Sequence, residues 1–318
     1  MSSFRQRSYL IGLLALCAAL TGIGGCGRAI QPVGPDTRST PIVTSISTGF
    51  GHTVALLQDG TVTAWGRTDE GQTKVPPNLS RVTAISAGVF HTVALLEDGT
   101  VQAWGRNDYG QSSVPTDLQR VIAVEAGLFH TVALLEDGTV RVWGDNRDGQ
   151  CNVPRGLSNV ISISAGASHT IALLEDGTVK AWGYNDDRQC DVPSGLGGVE
   201  AVSAGSFHTV VILKDGTVRA WGYDKDQQCN VPVGLGKVKS ISGGHSHTVA
   251  LQENGTVRAW GNNEEGQCDV PARLTGVKAV AAGGAHTVVL MQDGTVRAWG
   301  YNGSGQCSVP AELRASRR

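Results

Sequence analysis

Between residues 75 and 114 the hydrophobic positions fall in short runs divided by glycine, aspartate and proline. Val82-Thr-Ala-Ile-Ser-Ala87 reads as a strand that stops at Gly88. His91-Thr-Val-Ala-Leu-Leu96 reads as a second strand, followed by Asp98-Gly99. That dipeptide is the strongest short hairpin signal, because a two-residue turn asks both residues for positive φ. Thr100-Val-Gln-Ala-Trp104 is a third strand, stopped by Gly105, and Gln111-Ser-Ser-Val114 a fourth, ended by Pro115. Four short antiparallel strands in about 40 residues predict one propeller blade.

The pattern recurs every 39 residues without insertion or deletion. Its markers are His52, His91, His130, His169, His208, His247 and His286, and all seven tryptophans, Trp65 to Trp299 at the same interval. Seven copies span 273 of 318 residues. A fixed period of this length with strand-like content signals a propeller, so residues 42–314 are expected to form one all-β, seven-bladed β-propeller with a single core. Cys307-Ser-Val309 is expected to complete the blade begun by Ile42–Thr48, closing the ring and hiding its edge strands. The tryptophans are expected to wedge between blades. The histidines are expected to hydrogen-bond within the frame, because equivalent positions spread around a circle cannot converge on a metal.

Outside the repeats the chain changes character. Arg5 and Arg7 precede an apolar run from Tyr9 to Leu20, so residues 1–25 read as a signal peptide. Ile23-Gly24-Gly25-Cys26 resembles the bacterial lipobox. That resemblance implies cleavage before Cys26, acylation of its thiol, and lipid anchoring in the cell envelope. Residues 26–41 read as a flexible tether and 315–318 as a tail.

Charge narrows the partners. The net charge is −2; the first 25 residues carry two bases and no acid, leaving 24 bases against 28 acids, or −4. A phosphate backbone calls for a clustered basic surface, so nucleic acid is excluded as a partner. Cys151, Cys190, Cys229, Cys268 and Cys307 share one repeat position with Thr73 and Ser112. An odd set replaceable by hydroxyl residues is no disulfide framework; these thiols read as small buried groups. No cofactor is implied, and a monomer is expected.

The copies differ at one end. Hairpin topology puts the loops between strands one and two on the same face as those between strands three and four. Beyond the signal peptide the chain has Phe50, Phe90, Phe129 and Phe207, and Tyr109, Tyr184, Tyr223 and Tyr301, all in those two loop sets. Core-building aromatics would occupy strands; aromatics on scaffolded loops are what protein interfaces favour. Two further residues break the repeat: Glu125 stands where five copies have serine, and His245 is the one histidine out of register. These ten residues form the expected protein-binding face. The loops Asn146-Arg-Asp148 and Asn185-Asp-Asp187 lack the ordered spacing of a calcium site. Near-identical copies offer few unique groups for a catalytic constellation, so no enzyme is expected.

The pattern AG-x-x-HTVAL-x-x-DG-x-V-x-AWG-x-N-x-x-GQ resembles the regulator of chromosome condensation repeat, over residues 42–314. The resemblance implies a seven-bladed propeller. Eukaryotic members exchange nucleotide on a small GTPase and dock on chromatin; acidic balance, export signal and the lack of an inserted β-wedge argue against both here. With GQ-x-x-VP closing each repeat behind a signal peptide, the chain looks more like the secreted propeller-type β-lactamase inhibitory proteins. Those press one face of the ring on an enzyme, which implies a mode of binding without naming the target. The expected function is therefore a membrane-anchored scaffold that binds a protein through its aromatic loops, with glycan or cell-wall binding as the alternative.

Overall fold

Each 39-residue copy folds as three antiparallel strands. The computed structural model describes residues 41–314. The expected signal peptide, Cys26 with residues 26–40 of the tether, and the tail at 315–318 lie outside the described residues. In blade 1, β1 (Val43–Thr48), β2 (His52–Leu57) and β3 (Val62–Gly66) pair in that order. Six more such sheets follow, at residues 82–105, 121–144, 160–183, 199–222, 238–261 and 277–300. No helix among the described residues is long and apolar enough to cross a membrane.

The expected fourth strand is not formed, and local side-chain chemistry explains why. In blade 2 the Ser112 N–H donates to Asn107 Oδ1 at 2.9 Å and Ser112 Oγ donates to the Arg106 carbonyl at 2.9 Å. The Tyr109 N–H donates to Gln111 Oε1 at 3.0 Å. These bonds use the groups a ladder would need and coil the segment into turns. Cys151 Sγ donates to the Asp145 carbonyl at 3.1 Å, so thiol and hydroxyl do the same work at this position. Burial pushes the five thiols up to about 11 or 12.

The hairpin turn also differs from expectation. Leu96 pairs with Thr100 through its N–H at 2.9 Å, and the Gly99 N–H donates to the Leu96 carbonyl at 3.0 Å. The loop therefore holds three residues, and only Gly99 has positive φ, at 80°. Asp98 Oδ1 instead accepts from the Thr100 N–H and hydroxyl, at 2.9 and 2.6 Å.

Blades are joined by one repeated link. The Gln72 carbonyl of blade 1 accepts both Trp104 Nε1–H and the Thr92 hydroxyl of blade 2, each at 2.9 Å. Since the hydroxyl proton is spent there, His52 Nε2, 3.0 Å away, must donate to Thr92 Oγ1. Each of the seven histidines is thus neutral and protonated on Nε2. All are fully buried, and burial holds their pKa at about 3 to 4. Gly88 is required by space: a Cβ there would lie 2.3 Å from the Gly127 carbonyl and 2.9 Å from the His91 ring.

The hydrophobic core is divided among the blade interfaces, where a single core was expected. Leu56, Leu79, Val82, Ala94 and Trp104 fill the gap between blades 1 and 2, and six similar clusters fill the others. Blade 7 meets blade 1 through the same bonds: His286 Nε2 to Thr53 Oγ1 at 3.2 Å, and Trp65 Nε1 to the Gln306 carbonyl at 3.0 Å. Val309 and Leu313 are buried beside Val43 and Trp65. No strand from residues 307–309 enters the first sheet, which corrects the expected strand closure.

Candidate protein-binding face

The register of β2 on β3 puts His52 opposite Gly66, so the β1–β2 loop and the segment after β3 emerge at the same end. The Arg67 N–H donates to the Gly51 carbonyl at 2.8 Å, tying one to the other. All eight expected aromatics lie in these loops and outside every strand. Seven of them form two groups.

The first is a ladder on blades 1–3. Phe90 and Phe129 stack with centroids 5.6 Å apart and an interplanar angle of 15°. Tyr109 leans on Phe129 at 4.8 Å. Arg67 and Arg106 cover Phe90 at 5.0 and 5.3 Å, Arg106 also covers Phe129 at 5.1 Å, and Arg147 covers Tyr109 at 4.5 Å. Each guanidinium is also paired: Arg67 with Asp69 at 2.6 Å, Arg106 with Asp108 at 2.7 Å, and Arg147 with Asp145 at 2.8 Å. Sequence reasoning did not nominate these arginines. The signal was present as an Arg-x-Asp spacing beside the aromatic positions in blades 1 and 2.

The second group is a crescent over blades 4–6. Phe207 lies edge-on to Tyr184, Tyr223 and His245, at 6.2, 6.4 and 5.7 Å. Burial, followed by the carboxylates of Asp186 and Asp187, raises the Tyr184 hydroxyl above its ordinary pKa. His245 accepts or donates at Nδ1 with Ser206 Oγ, 3.0 Å away, and burial lowers its pKa against the pull of Asp226. Phe50 joins this group, not the first: it sits edge-on to His245 at 5.3 Å. Phe50 follows its loop glycine directly, whereas Phe90, Phe129 and Phe207 stand one position later. Gly284 lets it approach, since a Cβ there would fall 2.3 Å from the Phe50 carbonyl.

Two expected residues stand apart. Tyr301 is 42% exposed and stacks on no other ring among the described residues. Glu125 is half-buried in the wall of a central channel of about 970 Å³, away from both groups. Five serines at its repeat position accept a backbone N–H from the next blade, as Ser86 does from Ala126 at 3.0 Å. Glu125 makes no such bond and takes the Ser86 hydroxyl at 3.2 Å; burial raises its pKa to about 7. Among the described residues no three His, Cys, Asp or Glu side chains converge as a metal would require.

Comparison with known proteins follows this geometry. The signature described as the regulator of chromosome condensation (RCC1) repeat matches seven times, at residues 43–72, 82–111, 121–150, 160–189, 199–228, 238–267 and 277–306. No curated protein sequence matches the chain. Solved propellers share the fold. Prp20p from Saccharomyces cerevisiae, described with its binding to Gsp1p and histones, aligns with a TM-score of 0.64 at 21% identity, over 76% of this chain and 80% of that one. Yeast RCC1 (Prp20) bound to Kap60 aligns at 0.66 and 17%, over 93% and 89%. The CRINKLY WD40 ectodomain of the Arabidopsis thaliana receptor kinase ACR4 aligns at 0.66 and 21%, over 83% and 98%.

Proposed function

The chain belongs to the regulator of chromosome condensation repeat family, and from that premise we propose that it is a membrane-anchored scaffold whose loop face binds another protein. One observation carries the reading. Every phenylalanine and tyrosine of the repeat region sits at one end of the molecule, in loops, and all but Tyr301 join one of two ordered groups. Rings held on a rigid frame offer large contact area at little entropic cost. The yeast structures, described with protein partners, support a protein as the class of ligand. The manner would be that of the propeller-type β-lactamase inhibitory proteins, one face pressed on a partner. Anchoring through an acylated Cys26 would present that face at the envelope. The reading is of a scaffold and not of an enzyme.

The test is capture from envelope extract by the full chain, by a Phe90→Ala/Phe129→Ala/Phe207→Ala variant with unchanged melting temperature, and by a Glu136→Gln control at the turn end. A protein retained by the first and third and lost by the second is expected. Equal retention by all three overturns the loop face, and retention of oligosaccharide in place of protein supports the glycan alternative. For the anchor, Cys26→Ser should leave the membrane fraction; pelleting as before would refute acylation.

A further inference from the structure

The loop face has an electrostatic asymmetry that the aromatic count does not reveal. The seven segments after the third strand, residues 67–74 and their equivalents, hold six basic and thirteen acidic side chains, a net charge of −7. The other described residues carry fourteen of each sign, so all the net acidity of the described propeller lies at this one end. It is also concentrated within it. Residues 67–74 and 106–113 are neutral, while 184–191, 223–230 and 262–269 hold eight carboxylates against Arg188 and Lys225.

Pairing sharpens the contrast. The arginines of the ladder are neutralised by their own aspartates. Among the described residues, none of the eight carboxylates over blades 4–6 has an ion-pair partner within 4.0 Å. Asp186 and Asp187 act on Tyr184 and Asp226 acts on His245, so carboxylates without ion-pair partners and ring surface share one sector. One further feature singles it out. In six copies the glutamine Oε1 accepts the backbone N–H two residues earlier. In blade 4 both amide atoms of Gln189 are buried without a partner, against Gly222 at the foot of Tyr223. An unmet buried amide is unfavourable, and here it leaves the Asp187 N–H without the bond its counterparts make. Where five copies place a glycine at φ of 74° to 80°, blades 4 and 5 place Arg188 and Gln227, both at φ 64°. Arg81, Arg120, Asn159 and Arg273 at the turn end share that left-handed backbone, so it is not particular to this sector.

We propose that the partner docks with a basic segment, its lysines or arginines seated over blades 4–6. This rests on the loop face being the binding face. Carboxylates would pair with the incoming cations, and the face of Tyr184 would hold their stems and charges, as Tyr223 already holds Lys225 at 5.7 Å. The excess negative charge would speed encounter and make it fall with salt.

The probe is a fluorescein-labelled peptide alternating lysine and glycine, with a glutamate–glycine peptide of equal length beside it, titrated against the full chain. The sector variant is Asp186→Asn/Asp187→Asn/Glu264→Gln/Glu265→Gln. The control removes as many charges at the turn end, as Glu97→Gln/Glu136→Gln/Glu175→Gln/Glu253→Gln. We expect the lysine peptide to bind and to weaken at high salt. The sector variant should weaken it about tenfold or more, the control less than about twofold, as four partly screened pairs would give. No binding of the lysine peptide, equal loss in both variants, or equal binding of the glutamate peptide overturns the proposal. If the captured partner is lost with the phenylalanines but kept by the sector variant, the basic-segment proposal falls while the loop face stands. If lysine-peptide binding follows the sector variant but capture ignores the phenylalanines, the acidic sector stands without the aromatic reading.

Discussion

The two ends of this propeller are built from the same seven copies, and they have diverged unequally. At the turn end, six copies present Asp-Gly and blade 6 presents Asn254-Gly255, and the side chain caps the following Thr backbone N–H in all seven. Charges there balance in pairs such as Arg81–Glu97 at 2.9 Å. At the loop end the copies hold phenylalanine, tyrosine, histidine, serine or glycine at matching positions, and all the net negative charge. The turn end is held by geometry: a glycine at positive φ and a side chain that satisfies a backbone donor leave little to vary. The loop end is anchored below by the His–Thr–Gln–Trp links, so its tips can vary without loosening the frame. At the turn end the Asp-Gly hairpins hold while the Val-Pro-x-x-Leu links vary, so what sets the loop end apart is that its variation is in aromatic rings and net charge.

The largest effect expected on this contrast is acid unfolding of the frame. Seven histidines are held at about 3 to 4, below the ordinary 6.5. A depressed folded pKa contributes stability that is present above 6.5 and lost as pH falls toward the folded value. Each histidine removes about 1.4 kcal/mol per pH unit in that window. Denaturant midpoints should therefore drop steeply between pH 6 and 4; a flat profile would contradict the buried neutral histidines. Glu125 has the opposite sign, since its raised pKa of about 7 makes stability fall as pH rises from 4.5 to 7. Glu125→Gln should accordingly stabilise the protein at pH 8 and leave it unchanged near pH 4.

Next in size, Trp143→Ala should cost about 3–5 kcal/mol in urea unfolding, as a large-to-small change that also removes one of the two bonds to the Gln111 carbonyl. Loss below about 1 kcal/mol would refute its wedging role. Smaller, and of opposite sign, Arg188→Gly and Gln227→Gly should each stabilise by roughly 0.5–1 kcal/mol, because glycine relieves the left-handed backbone. Destabilisation by either would mean that the side chain supports the free protein. Smallest of all, Cys229→Ser should shift melting by less than about 1 °C, since Ser112 already makes the same bond to a carbonyl six residues back.

Much of this was legible in the chain because the repeat supplies seven readings of each position. The bounds of the first two strands follow from Val82 and His91 and their neighbours, the third runs Val101–Gly105 where Thr100–Trp104 was expected, and the loops emerge together as hairpin topology requires. The failures have local causes. Gln111-Ser-Ser-Val114 has strand-like composition, but its Ser112 N–H is taken by the Asn107 side chain and its Ser113 N–H by the Gly110 carbonyl, an outcome that period and propensity do not register. Asp98-Gly99 carries a true turn signal, yet loop length depends on which residues pair across it, and Leu96 meets Thr100. Within the face, the one-residue shift that sends Phe50 to His245 was visible in the alignment of copies, but the bare Gly284 that permits it matters only once blades 7 and 1 meet. The arginine ladder needed three blades placed side by side.

The most direct test of the central claim is site-specific photo-cross-linking of the chain in the cells that make it. A benzophenone amino acid would replace Phe50 or Tyr109, 41% and 37% exposed on the loop face, or Val233, fully exposed on a connection at the turn end. The account predicts one discrete adduct from the loop positions and none from Val233. Adducts from Val233 alone, or an equal smear from all three, would contradict it.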